Sequence, residues 1–197
     1  MQIHDHLALG KALAEAYFAD RGALCRLAFV LGNIAPDLTA TTHLRGHLHD
    51  RNTWGHSYAN ALPVIRRLSR ALERHADGGL HDCYRLGVLL HYTADAFTWP
   101  HNEHFGGSMR EHMRYERRLH KEIAARLSRE SFPDAPRFVS TEAAHERYVA
   151  LEGRVETDAD YILAQTAQLA AACAHYWSRL DADAQGLQLQ LSWVGRS

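Results

Sequence analysis

Apolar residues in this chain recur every three or four positions over most of its length, so its regular structure is expected to be helical. In the first segment, 6–20, Leu7, Leu9, Ala12, Leu13, Ala16 and Tyr17 recur with a period near that of an amphipathic helix, with Asp5 as a candidate N-cap. The next, 23–32, is almost continuously apolar and is expected to stop before Pro36, which disfavours helix in the residue preceding it; Asp37 would then sit on a loop. Further helices are predicted over 57–76, 80–97, 109–129, 141–151 and 157–180, separated by Gly or Pro breaks. The length of 197 residues suits one hydrophobic core, so the expectation is a single all-α domain over 1–197.

Two interruptions stand out. Residues 38–55 are polar, rich in Thr, Gly, Asn and His, and too long for a plain connector, which suggests a functional loop. A second loop, 98–107, follows the helix expected at 80–97.

A net charge of -1 offers no field for gathering nucleic acid, and no apolar run reaches membrane-spanning length. The first residues carry His and Asp where a secretory leader needs a basic stretch and then an apolar one, so the expected compartment is the cytoplasm. Cys25, Cys83 and Cys173 are odd in number and far apart, so they read as structural thiols rather than a disulfide framework or a Cys-rich metal knuckle.

Histidine is the anomaly. There are 15, ten of them between His43 and His112, and neutral imidazole is the commonest nitrogen ligand of transition metals. The strongest local pattern is His91-Tyr92-Thr93-Ala94-Asp95 followed by Trp99-Pro100-His101. On a helix His91 and Asp95 share a face, and Pro100 ends the helix so that the chain can bring His101 back to them. Two such polar groups inside an apolar helix would be costly without a common partner, which favours a shared ion over a solvated face. His112 and Glu116 repeat the same spacing on the next helix. His120, one turn further, reads as a residue supporting a ligand or as a solvated one. Asp37 beyond Pro36, and His49-Asp50 with His47 and His56 in the long loop, complete the candidates.

Together these elements resemble the zinc-dependent phospholipases C and the related fungal single-strand nucleases and glycosylphosphatidylinositol-specific phospholipases D. The resemblance runs from His6 to Glu116. It rests on His91-Tyr92 with Asp95 and His101, on His112 with Tyr115-Glu116, on Asp5-His6-Leu7-Ala8-Leu9 at the first helix, and on Gly32-Asn33-Ile34-Ala35-Pro36-Asp37. It implies a compact multi-helix fold and a cluster of two or three zinc ions, or of another divalent transition metal, held by His6, Asp37, His49, His91, Asp95, His101, His112 and Glu116. Within that cluster Asp95 would bridge two ions, His91 and His49 would complete one site, His101, His112 and Glu116 another, and His6 would serve a third. His47 fits the bacterial enzymes' spacing and His49 that of the phospholipase D relatives, so the loop ligand stays open. The secreted bacterial enzymes also use their mature N-terminal amine, well ahead of the first histidine. Only five residues precede His6 here, so a third ion would be bound differently, with His4 a candidate, or the cluster has two.

The implied activity is hydrolysis of a phosphoester or phosphodiester by activated water, with Asp37 orienting or deprotonating that water. A small-molecule phosphoester is the expected substrate, since neither a basic patch with interleaved aromatics nor a membrane anchor is visible. Two rivals remain: a His-Asp-domain phosphohydrolase using His49-Asp50, and a metal-binding or biosynthetic protein that keeps the fold with other chemistry.

Overall fold

The computed structural model of the chain describes residues 1–38, 57–75, 77–128, 132, 140–151 and 153–194, and every regular element among them is helical. In order these are α1 (Ile3–Tyr17), α2 (Ala23–Leu38), α3 (Tyr58–His75), α4 (Leu80–Ala96), a 3-10 turn at Trp99–His101, α5 (Met109–Leu127), α6 (Thr141–Val149) and α7 (Val155–Val194). The fold is all-α. Among the described residues no helix is long and apolar enough to cross a membrane. Cys83 is buried and Cys25 and Cys173 are half-buried, all three as free thiols.

Helix α4 is the centre of the packing, in contact with α2, α3 and α7. Leu86, Leu89 and Leu90 are fully enclosed on it, each contributing about 1.5–3 kcal/mol by leaving water. The residues that carry its polar chemistry, His91 and Asp95, are buried in the same helix.

Helices α2 and α4 approach until their backbones touch. A Cβ added at Gly87 would lie 2.1 Å from the Phe29 carbonyl oxygen, and one at Gly32 would lie 2.2 Å from that of Tyr84. Both glycines are therefore needed for lack of a side chain, and the close approach brings the α2 backbone within reach of His91.

The structure corrects several expected boundaries. Helix α1 begins at Ile3 with Gln2 as its N-cap, so Asp5 sits inside the first turn, where its Oδ2 accepts from the Gln2 N–H at 3.3 Å. Helix α2 does not stop before Pro36 but runs through it to Leu38, which puts Asp37 in the last helical turn rather than on a loop. Proline cannot donate to the carbonyl one turn back, but Gly32, Asn33 and Pro36 are all buried in the packed interior, and that packing outweighs the local preference. Helix α7 continues to Val194, well beyond the expected end at Leu180. The continuation is rich in Ala, Leu and Gln, and a single Gly186 costs only about 1 kcal/mol in a helix. Of the expected long loop, residues 39–55 lie outside the described residues, and so do His47, His49 and His56.

Candidate metal centre

Each of the paired ligands follows from local helix geometry. His91 and Asp95 stand one turn apart on α4, with His91 Nε2 3.4 Å from Asp95 Oδ2. His112 and Glu116 repeat the arrangement on α5, with Nε2 3.2 Å from Oε1. The 3-10 turn after α4 then lays His101 between them, its Nδ1 3.5 Å from Asp95 Oδ1 and its Nε2 3.3 Å from Glu116 Oε1. From α1, His6 places Nε2 3.2 Å from Asp95 Oδ1 and stacks on His91 with ring centroids 3.9 Å apart. From α2, Asp37 comes within 3.8 Å of His91 Nε2.

Two donor sets result. The ligand atoms of His6, Asp37 and His91 lie within 4.8 Å of one another, as do those of His101, His112 and Glu116. Asp95 touches both sets. His6 lies in the same group as His91 and Asp37. Of the eight expected ligands, seven converge here, and His49 lies outside the described residues.

Asn33 organises the α1 and α2 side of the centre. Its backbone carbonyl accepts from His91 Nδ1 at 2.9 Å, which turns Nε2 toward Asp37 and Asp95. Its side-chain amide donates to the His6 carbonyl at 2.9 Å. Burial holds the His6 pKa well below the usual histidine range, with the neighbouring His91 adding to the effect, so His6 presents a neutral nitrogen.

The residues fit a divalent cation. Four imidazoles and three carboxylates converge on one largely buried volume, and a cation already stands in it. The Met1 ammonium donates to Asp95 Oδ1 at 2.7 Å and lies 3.3 Å from Glu116 Oε1. Burial pulls the amine pKa down, but the Asp95 and Glu116 carboxylates outweigh this and hold it up at about 11. Both carboxylates respond in kind. Burial pushes each pKa up, yet the ammonium and the imidazoles bring Asp95 well below the usual range and lower Glu116 too. The amine lies beside the cluster, with α1 starting only two residues after Met1.

The family model described as zinc dependent phospholipase C matches residues 5–181. The chain belongs to the zinc-dependent phospholipase C family. No curated protein and no solved structure matches it. Family membership and the two donor sets together support a metal-dependent hydrolase. The match continues past Glu116 through most of α7, so the family's fold includes elements that carry no expected ligand.

One of those elements holds the His101 turn in place. Asp158, fully buried on α7, accepts from the Trp99 N–H at 2.8 Å and from the Tyr148 hydroxyl at 2.7 Å. Burial pushes its carboxyl up to about 6 against the pull of these donors. On the other side Asn102 donates to the carbonyls of Ala96 and Thr98 at 3.2 and 3.0 Å, and its Oδ1 lies 2.6 Å from His145 Nε2. None of Asn33, Asn102, His145 and Asp158 was singled out from the sequence. For Asn33 the available signal was a polar side chain within an apolar helical stretch, which marks burial but names no partner; the other three carry no such signal.

Asp158→Ala would leave two buried donors unsatisfied and is expected to destabilise the protein by about 2–5 kcal/mol, measured by urea denaturation. A change within a few tenths of a kcal/mol would show that the turn is held by packing alone.

Proposed function

We propose that this protein hydrolyses a small-molecule phosphoester or phosphodiester with water activated at a cluster of two or three zinc ions. The observation that supports it most is the position of Asp95, 1% exposed, with Oδ1 toward His6 and His101 and Oδ2 toward His91. In this reading His6, Asp37 and His91 would hold one ion and His101, His112 and Glu116 another, with Asp95 available to both. His49 remains the candidate from the loop outside the described residues.

Bound zinc would supply positive charge to the phosphoryl oxygens and lower the pKa of water toward neutrality. The chain's own residues do the rest. Asn33 keeps His91 Nε2 turned toward the cluster, and the Asp158 and Asn102 hydrogen bonds keep His101 between Asp95 and Glu116. Asp37 has the most accessible of the three carboxylates, 19% exposed against 14% for Glu116 and 1% for Asp95, so it is the one placed to take the proton of the attacking water. The water oxygen forms the new bond to phosphorus as the ester oxygen departs, and no covalent nucleophile is required. A net charge of -1 supports a small substrate over a polynucleotide.

Elemental analysis of protein purified without chelator is expected to find about two to three zinc ions held through gel filtration, since the donors exceed what one tetrahedral site uses. The same protein should turn over members of a phosphomonoester and phosphodiester panel, lose activity to chelator and regain it with zinc. Fully loaded protein that cleaves nothing in the panel would overturn the hydrolase reading and favour the fold with other chemistry.

A further inference from the structure

Outside the cluster, a third group of donors stands on the same two helices and shares no residue with it. His4 and Asp5 open α1 just ahead of His6, and His120 lies one turn beyond Glu116 on α5. The Asp5 carboxylate is 2% exposed, and its two oxygens are used differently. Oδ2 accepts from the Gln2 N–H, whereas Oδ1 is turned toward two imidazoles, 2.5 Å from His120 Nδ1 and 3.8 Å from His4 Nε2. The two rings meet edge to face with centroids 4.4 Å apart, and the three ligand atoms lie within 4.8 Å of one another.

We propose that His4, Asp5 and His120 form a separate, exchangeable zinc site that clips the start of α1 to α5. Two imidazole nitrogens and one carboxylate oxygen are a borderline set suited to zinc, whereas calcium and magnesium need more oxygens than this group offers. The carboxylate is buried and anchors the site. The imidazoles of His4 and His120 are 53% and 41% exposed, so an ion can enter from solvent and a water can take the fourth position. The cluster's ligands are almost wholly enclosed, so an ion here exchanges faster than those in the cluster. An ion binding the folded chain but not the unfolded one raises stability by mass action, and it does so between the helices that carry His6 and the His112–Glu116 pair.

Its test is a zinc titration of protein that already carries its tightly held metal, followed by calorimetry and by thermal unfolding with and without added zinc. Wild type is expected to take up one further equivalent and to unfold at a higher temperature with zinc added. His4→Gln and His120→Gln keep a polar side chain at each position but lose the imidazole; each is expected to lose that equivalent and the thermal shift while retaining the tightly held metal. Circular dichroism identical to wild type certifies their folding. The proposal is overturned if wild type takes up no further equivalent, or if either variant binds it as wild type does. The readout does not depend on hydrolysis: protein inactive toward every phosphoester would still show or lack the extra equivalent.

Discussion

Asp95→Asn is expected to release most of the tightly held zinc and to lower phosphoester turnover by at least about a hundredfold, more than the loss typical of residues that merely support a ligand. The substitution preserves shape and removes one negative charge. That charge faces the Met1 ammonium, His6, His91 and His101, so its loss weakens both donor sets at once. Without metal, the variant also keeps a buried ammonium whose carboxylate partner within 4 Å, among the described residues, is then Glu116 alone, so it is expected to lose stability as well. The measurement is zinc content after gel filtration, taken beside His120→Ala, with circular dichroism to confirm folding. His120 touches Asp5 and not the cluster, so its replacement should cost at most the one exchangeable ion. Equal zinc loss in the two variants would mean that Asp95 is not the shared ligand.

The parts of this molecule that could be read from the chain are those decided within a few residues. Helical spacing announced α1, α3, α4 and α5, and the same spacing paired His91 with Asp95 and His112 with Glu116, because positions four apart meet wherever the helix lies. Pro100 announced the turn that presents His101. What escaped was decided across the fold. Proline argued locally for ending α2 before Pro36, yet the backbone contact at Gly32 and Gly87 keeps the helix intact and delivers Asp37 from a helix end. Asn33 reaches His91 across 58 positions, Asp158 reaches Trp99 across 59, and the Met1 amine reaches Asp95 across 94. No periodicity encodes such pairings. They arise once α1, α2 and α7 have packed around α4, and they turn a set of ligand types into an oriented centre.

Asp37→Asn separates the two roles that its position allows. Its carboxylate groups with the His6 and His91 nitrogens within 4.8 Å, yet it is the most open of the three acidic groups, 19% exposed against 14% for Glu116 and 1% for Asp95. A group so placed contributes less to holding an ion than Asp95 does and has more access to water. The expected result is therefore a protein that keeps most of its zinc while turnover of a generic phosphodiester falls by about a hundredfold to ten-thousandfold, the range of a lost general base. The amide occupies the same volume and can still hydrogen-bond to water, but it cannot accept the proton at neutral pH. The pH–rate profile supplies a second readout. If Asp37 accepts the proton, wild type is expected to show an acidic limb in kcat/KM that is absent from the residual activity of the variant. Zinc lost in parallel with activity would make Asp37 a ligand first, and turnover persisting with zinc in place would assign the proton to another group.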